Sequence, residues 1–386
     1  MFGFEYYSPT KVIFGKGTEN QAGELVKAYG AKKVLIHYGG KSAVKSGLID
    51  RVKASLDAAG VAHVELGGVV PNPHLSKVRE GIALGKKEGI DFILAVGGGS
   101  TIDSSKAISY GLAEPEKDVW ELFEKKRTAQ KFLPIASVLT IAAAGSETSN
   151  SCVITNEETK EKRSYNDDIA RPKFAIMNPE LTMTLPDYQT ESGCTDIMMH
   201  TMERYFVEED SINFTDEIAF GLLKAVIKAG KKVMENPNDF EARASLMLAS
   251  SFSHNGLTGM GTKMYFTVHR LEHVLSGTYD NVSHGAGLAV LFPAWAKWVY
   301  PKLETKFLRF ALEVMKVEKQ DTNDKTIMAA INKLESFYKE LGMPTRFKDL
   351  KIDEKAVDEL IKKSTNIPSF IKLDSRDIEM IYKNAL

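Results

Sequence analysis

The first half of the chain alternates between short apolar runs and longer amphipathic segments. Within residues 1–183, several apolar runs have the length of buried strands, at residues 32–40, 92–96, 132–140 and 173–178. Segment 42–60 repeats apolar residues at helical spacing, from Leu48 to Ala59. Nearly continuous apolar strands that alternate with helices are typical of a parallel sheet covered on both faces. The pattern predicts a doubly wound α/β domain.

Beyond about Leu185 the pattern becomes helical almost throughout. The predicted helices lie at residues 189–206, 214–235, 239–255, 262–276, 284–299, 302–316 and 323–341. Pro186 discourages a helix that continues across it and favours a new helix that starts there. We therefore predict two domains: a dinucleotide-binding α/β domain over residues 1–184 and an all-helical domain over residues 185–386.

Composition narrows the classes of function. A chain of 386 residues exceeds the size at which one hydrophobic core stops growing, which agrees with two domains. Its 50 basic and 51 acidic residues nearly cancel, so no charge excess favours nucleic acid or an anionic membrane as a partner. Two cysteines cannot form a disulfide framework, and the N-terminus, with Glu5 and no long apolar core, does not resemble a signal peptide. We expect a cytoplasmic protein without a membrane segment.

A glycine-rich turn, Gly97-Gly98-Gly99-Ser100, joins a predicted strand to a predicted helix. Glycine allows the backbone to approach a diphosphate, and a helix N-terminus offers unpaired N–H groups and a partial positive charge. The turn differs from the G-x-G-x-x-G fingerprint because Ile102 occupies the position of the third glycine, and it lacks the Gly-Lys-Ser/Thr of a P-loop. A ligand-binding turn and an ordinary tight turn are both compatible with these residues.

The strand at residues 32–40 ends in Gly39-Gly40-Lys41-Ser42, where a dinucleotide fold would meet the adenosine ribose. NAD-selective sites usually place Asp or Glu there to bind the 2′-hydroxyl. Here the acidic residue is missing, and two glycines, a lysine and a serine suit a 2′-phosphate instead. The alternative is an ordinary turn with a surface lysine.

Histidines cluster in the predicted helical domain. His269 and His273 are four residues apart, so a helix places both imidazoles on one face, and Asp196 and His200 repeat this spacing. Together with His284, these side chains suit a divalent cation such as Fe(II), Zn(II), Co(II) or Mn(II) rather than a thiolate site. The alternative is that each histidine is a structural residue.

Several separated motifs give the chain a resemblance to a known family. They are GGGSTIDSSK, VVPNP, the LT…AGSE segment, NPELTMTLP, CTDIMMH, HRLEH and SHGAGLAVLFPAW. With these motifs the whole chain resembles the iron-containing (group III) alcohol dehydrogenases, most closely their NADPH-dependent butanol dehydrogenase branch. The resemblance implies a Rossmann-like N-terminal domain and a helical metal domain, the architecture shared with dehydroquinate synthase, with the active site in the cleft between the domains.

The resemblance also implies roles for individual residues of the metal domain. The metal ligands would be Asp196, His200, His269 and His284. His273 would lie beside the nicotinamide. We expect either His273 or a ribose hydroxyl of the cofactor to relay the proton of the new alkoxide. His254 stands where the family usually has no ligand, so we interpret it as structural.

In the N-terminal domain the resemblance implies a set of cofactor contacts. Gly97, Gly98 and Ser100 would hold the diphosphate with Asp103 close by, and Gly39, Gly40 and Lys41 would accept the 2′-phosphate. Residues near the adenine, the ribose and the nicotinamide would be Thr140, Thr182, Leu185, Asn72 and Lys162. Ala144 departs from the family, in which many members have threonine at this position.

We therefore expect a metal-dependent oxidoreductase that transfers hydride between NADP(H) and a short-chain primary alcohol or aldehyde, such as butanol or butanal. The metal would be Fe(II) or Zn(II), and the resemblance suggests a homodimer. The first alternative is a Zn-dependent polyol dehydrogenase of the glycerol type. A dehydroquinate synthase-like lyase and a non-catalytic nucleotide-binding protein are minor alternatives.

Overall fold

The computed structural model of the protein describes residues 2–208 and 212–386. The chain divides into two compact units, one of residues Tyr7–Leu185 and one of residues Pro186–Leu386 together with the residues before Tyr7. The extreme N-terminus thus clusters with the helical unit rather than with the α/β unit, to which the sequence pattern assigned it. Within the helical unit, the backbone N–H of Phe2 donates to the carbonyl of Gly261 at 3.0 Å.

The first unit is built from strands that alternate with helices. Its strands are β1 (Lys11–Phe14), β2 (Lys33–Tyr38), β3 (Ala62–Leu66), β4 (Phe92–Gly97), β5 (Ile135–Leu139), β6 (Ser151–Asn156), β7 (Glu161–Asn166) and β8 (Phe174–Met177). Its helices are α1 (Ala22–Ala28), α2 (Lys41–Lys45), α3 (Leu48–Ala59), α4 (Leu75–Glu88), α5 (Gly99–Ala113) and α6 (Trp120–Phe123).

One parallel sheet organises this unit, with the strand order β1-β8-β5-β4-β2-β3. Strands β4, β5 and β8 are buried along their whole length, which explains why they lack the polar alternation of a half-exposed strand. β6 and β7 form a separate antiparallel pair. The prediction of a doubly wound parallel sheet is confirmed.

The strand order creates a switch point between β2 and β4. After β2 the chain continues to the edge strand β3, whereas after β4 it continues on the opposite side to β5. Ligands of open α/β sheets bind beyond the carboxyl ends of the strands at such a point. The turns that follow these two strands are Gly39-Gly40 and the glycine-rich turn that opens α5.

The second unit contains helices and no β-strand among its described residues. Its helices are α7 (Asp187–Tyr205), α8 (Asn213–Glu235), α9 (Phe240–His254), α10 (Thr267–Thr278), α11 (His284–Val299), α12 (Glu304–Arg309), α13 (Asn323–Glu340), α14 (Glu354–Lys363) and α15 (Ser375–Lys383). The predicted all-α half is confirmed. No helix in residues 2–208 and 212–386 is both long and apolar enough to cross a membrane.

Two predicted helices have different bounds in the structure. The predicted helix at residues 262–276 begins only at Thr267, because Phe266 has a left-handed backbone with φ 55° and no helix can run through it. The segment at residues 302–316 is divided into α12 and a wider π-helical turn, Phe310–Val314.

Candidate metal centre and nucleotide-binding turns

Helix α7 provides the first two candidate ligands. It is buried on all sides from Gly193 to Tyr205, so its polar side chains in this stretch face other helices rather than solvent. Asp196 and His200 lie one turn apart, and Oδ1 of Asp196 is 3.5 Å from Nδ1 of His200. The local spacing therefore places both groups on one face, as the sequence predicts.

Helices α10 and α11 bring two further histidines to the same oxygen. Nε2 of His269 lies 3.6 Å from Oδ1 of Asp196, and Nε2 of His284, the first residue of α11, lies 3.7 Å from it. Four ligands at the usual 2.0–2.2 Å around a tetrahedral metal would be about 3.4 Å apart. Oδ1 of Asp196 thus lies at nearly this distance from one ring nitrogen of each of the three histidines, as binding to a common divalent cation would require.

The donor atoms also fit a metal chemically. Asp196 Oδ1, His200 Nδ1 and His269 Nε2 are buried and have no hydrogen-bond partner among the described residues. Buried polar atoms without partners are costly, and a cation at the point where they converge would satisfy all of them. A set of three imidazoles and one carboxylate suits Fe(II) or Zn(II).

Two glutamates that the sequence reasoning missed hydrogen-bond the histidine rings at Nδ1, the nitrogen that does not face Asp196. Glu203 accepts hydrogen bonds from the backbone N–H groups of Val268 at 2.6 Å and His269 at 3.1 Å, and it also hydrogen-bonds Nδ1 of the His269 ring. Glu272 hydrogen-bonds Nδ1 of His284 in the same way. Each carboxylate leaves Nε2 of its histidine directed at the centre, as carboxylates behind metal-binding histidines commonly do.

A signal for these glutamates was present in the sequence. Glu203 lies seven residues after Asp196 and three after His200, so all three share one face of α7. Glu272 lies three residues after His269 on α10. Searching the ligand-bearing helix faces for further carboxylates would have found both.

The charges around the centre shift the pKa values of its histidines in opposite directions. Burial, followed by the neighbouring His254 and His269, holds the pKa of His200 well below its usual value. Burial also opposes protonation of His269, but Glu203 and Asp196 outweigh it and raise the pKa of His269 to about 9. A metal that binds here must displace the His269 proton, so its binding releases a proton at neutral pH.

His273 lies beside the centre rather than in it. It follows His269 by one turn of α10, and its ring centroid is 5.7 Å from that of His284. Glu272, His273 and His284 each offer a polar atom within 4.8 Å of the others. The structure therefore groups His273 with His284 and Glu272, next to the proposed ligands.

The glycine-rich turn is shaped by close packing at the start of α5. Gly97 accepts a hydrogen bond from the backbone N–H of Thr140 at 3.0 Å, which joins two predicted cofactor residues. A Cβ at Gly98 would lie 3.0 Å from Ile141, and one at Gly99 would lie 2.7 Å from Ala144. The first turn of α5 carries no acidic residue, so its N–H groups and dipole suit an anion such as a diphosphate.

Asp103 and a buried lysine connect α5 to the loop that follows β5. Both carboxylate oxygens of Asp103 are hydrogen-bonded, one to the Ser146 hydroxyl at 2.5 Å and one to the backbone N–H of Val153 at 2.9 Å. Lys106, which the sequence reasoning did not assign to the site, donates to the same Ser146 hydroxyl at 2.9 Å and to the carbonyl of Ser149 at 2.9 Å. Asp103 thus supports the loop around the turn.

The other predicted cofactor residues fall into separate groups within the first unit. Lys162 on β7 donates to the side chain of Asn72 at 3.0 Å, so these two lie together. Leu185 and Thr182 form one turn, in which the backbone N–H of Leu185 donates to the backbone carbonyl of Thr182 at 3.3 Å. Lys41 is exposed at the start of α2.

The fold and the histidine centre define a class, proteins that combine a dinucleotide-binding type of α/β unit with a helical unit that carries a candidate metal centre. Comparison with known proteins gives the family. A family model for iron-containing alcohol dehydrogenase matches residues 9–179, and a model for the Fe-containing alcohol dehydrogenase family, C-terminal, matches residues 190–386. The chain therefore belongs to the iron-containing alcohol dehydrogenase family, and it is an NAD(P)-dependent alcohol dehydrogenase. The resemblance to this family that the motifs predicted is confirmed.

Individual relatives match all or nearly all of the chain. The protein is 38% identical to NADH-dependent butanol dehydrogenase A of Clostridium acetobutylicum over 100% of both chains. It is 32% identical to the NADPH-dependent aldehyde reductase YqhD of Escherichia coli over 94% of this chain and 93% of that one. The crystal structure of NADH-dependent butanol dehydrogenase A from Thermotoga maritima superimposes with a TM-score of 0.95 at 39% identity, over 99% of this chain and 98% of that chain.

Proposed function

We propose that this alcohol dehydrogenase interconverts short-chain primary alcohols and aldehydes, such as butanol and butanal, with NADP(H) as the hydride carrier. Fe(II) or Zn(II) would be held by Asp196, His200, His269 and His284. The observation that carries the proposal is that one ring nitrogen of each of the three histidines lies 3.5–3.7 Å from Oδ1 of Asp196.

The residues of the centre have distinct tasks in this proposal. When bound, a divalent metal supplies Lewis-acid polarisation of the substrate oxygen. Asp196 compensates part of its charge, and Glu203 and Glu272 keep the rings of His269 and His284 oriented through their Nδ1 atoms. Because these groups are fixed before substrate arrives, the centre needs little reorganisation during the reaction.

His273 is the proposed proton relay. Reduction of an aldehyde leaves an alkoxide that must receive a proton, and an imidazole near neutral pH is suited to deliver it. The support is its position one turn after His269, with its ring centroid 5.7 Å from that of His284. Full activity and an unchanged pH profile in His273→Ala would remove this role.

The turn after β2 supports NADP(H). No acidic residue lies between Ile36 and Asp50, so a 2′-phosphate would meet no carboxylate from this segment, and Lys41 offers it a positive charge. The names of the relatives do not distinguish between the two cofactors, because the butanol dehydrogenase is called NADH-dependent and the Escherichia coli reductase is called NADPH-dependent. The proposal of NADP(H) therefore rests on the residues of the turn.

Butanal and butanol are proposed from the relatives named butanol dehydrogenase. A polyol substrate is the second candidate, and it is favoured by a 1,3-propanediol dehydrogenase of Klebsiella pneumoniae that is 30% identical over 91% of this chain. The homodimer and the cytoplasmic location stay predictions.

The test is oxidation of NADPH and NADH, side by side, with butanal and protein reconstituted with Fe(II) or Zn(II). We expect turnover with NADPH that disappears in Asp196→Ala. Turnover with NADH alone would keep the dehydrogenase and reject the interpretation of the Gly39–Ser42 turn. A protein that binds one metal ion but uses butanal with neither cofactor would reject the substrate class and favour 1,3-propanediol.

A further inference from the structure

His254, the last residue of α9, packs its ring directly on a proposed metal ligand. The centroids of the His254 and His200 rings are 4.0 Å apart, at an interplanar angle of 56°. The His200 ring also stacks with His269, with centroids 4.6 Å apart and an angle of 28°. The imidazole of His200 therefore contacts two rings, that of the proposed ligand His269 on α10 and that of His254 on α9.

His200 differs from the other proposed histidine ligands in how it is supported. His269 and His284 are each oriented by a glutamate that hydrogen-bonds Nδ1. Within the described part of the chain, no carboxylate from outside the centre bonds to the ring of His200, whose Nδ1 faces Asp196. Since an imidazole can rotate about its bond to Cβ, its orientation must come from packing.

Arg204 fixes the ring of His254 in this contact. It is buried, and its guanidinium donates to the carbonyl of His200 at 2.7 Å and to Nδ1 of His254 at 3.2 Å. The same guanidinium lies over the ring of Phe266, 4.7 Å from its centroid. Because arginine only donates, Nδ1 of His254 is the acceptor, which fixes the tautomer with hydrogen on Nε2.

We propose that His254 is a positioning residue for the metal centre: its ring, anchored by Arg204, holds the imidazole of His200 in the orientation that binds the divalent metal. His254 itself lies outside the groups of side chains whose ligand atoms converge in the described structure. The proposal rests on the metal site put forward above. It assigns to His254 the orienting role that carboxylates have for His269 and His284.

The test is titration of the metal-free protein with Co(II), followed by the absorption bands of the bound ion and by competition with a chelator. We compare wild type with His254→Ala, which removes both the ring and the acceptor, and with His254→Asn, which keeps an acceptor for Arg204 but removes the ring. We expect both variants to bind Co(II) about tenfold more weakly, the usual effect of losing support behind a ligand.

His254→Phe provides the matched comparison, because it keeps a flat ring against His200 and cannot bind a metal. We expect it to bind Co(II) more tightly than His254→Ala and His254→Asn, with the same absorption bands as wild type, because the ring stays against His200 although the hydrogen bond from Arg204 is lost. Thermal unfolding of the metal-free variants separates metal affinity from folding: a lowered affinity at an unchanged unfolding temperature supports positioning.

Two results would overturn the inference. One is equal Co(II) affinity in wild type and His254→Ala, and the other is a loss in His254→Phe as large as that in His254→Ala. Failure of the proposed metal site would give a different result, because wild type and Asp196→Ala would then both fail to bind Co(II). That result would also reject the positioning role of His254.

Discussion

Glu203 holds His269 at two points: its carboxylate accepts the backbone N–H of His269 at 3.1 Å and hydrogen-bonds Nδ1 of the same ring. The glutamate comes from α7, which also carries Asp196 and His200, whereas the histidine lies on α10. One buried carboxylate therefore links the two helices whose proposed ligands would meet at the metal.

Replacing this carboxylate should weaken the metal site. In Glu203→Gln the amide keeps an acceptor but also presents N–H groups to donors on α10, so the ring of His269 loses its fixed orientation. We expect Zn(II) affinity to fall by about 10- to 100-fold, measured by competition with a chromophoric chelator. Glu217→Gln, on the exposed side of α8, serves as the control and should bind as wild type. Equal affinities in both variants would show that Glu203 has only a structural role.

Gly99 and Ala144 make a contact that should control cofactor binding. A Cβ at Gly99 would lie 2.7 Å from Cβ of Ala144, so Gly99→Ala must displace the start of α5 or the neighbouring loop. Overpacking of this kind costs about 1–3 kcal/mol, and we expect NADPH to bind about tenfold more weakly in a fluorescence titration.

The double variant Gly99→Ala with Ala144→Gly removes the clashing methyl group and should recover most of the lost NADPH affinity. Gly221→Ala on α8 is the control, because an added Cβ there meets nothing within 4 Å. A double variant that binds as weakly as Gly99→Ala would exclude this contact as the cause.

Lys41 should distinguish between the two nicotinamide cofactors. If it binds a 2′-phosphate, Lys41→Ala removes a charge-assisted hydrogen bond worth roughly 1.5–3 kcal/mol, so KM for NADPH should rise at least about tenfold while KM for NADH changes little. Lys45→Ala, an exposed lysine at the other end of α2, is the matched control. Parallel changes for both cofactors would argue against a 2′-phosphate site at this turn.

His37 should make the protein sensitive to mild acid. It is fully buried on β2, donates from Nδ1 to the carbonyl of Leu66 at 2.8 Å and accepts at Nε2 from the Ser104 hydroxyl at 2.8 Å. Burial lowers the pKa of His37 to about 4. Because the unfolded chain takes up this proton near pH 6.5, the stability that neutral His37 provides is present above pH 6.5 and is lost as the pH falls towards 4.

The linkage predicts a loss of about 2 kcal/mol in the free energy of unfolding between pH 7.5 and pH 5 from this residue alone. Urea unfolding at the two pH values measures it. His37→Gln should be less stable than wild type at pH 7.5, because its hydrogen bonds change, but should lose less stability on acidification. An identical pH dependence in both proteins would contradict the assignment.

Much of the fold and part of the site follow from the sequence by itself, because they depend on neighbours along the chain. Apolar runs separated by helical periodicity predicted the parallel sheet, and the glycines after β2 and β4 predicted the turns at its carboxyl edge. The four-residue interval between Asp196 and His200 predicted a shared helix face, since helix geometry alone determines it.

Only the tertiary structure decided which of these local features meet. Glu203 and His269 are 66 residues apart, and no periodicity in the sequence says that α7 and α10 bring them into hydrogen-bond distance. The same holds for His254, which we interpreted as structural from the sequence and whose ring centroid lies 4.0 Å from that of His200. Spacing determines the face on which a side chain lies, whereas its partner depends on how whole helices pack, and that packing is set by the core as a whole.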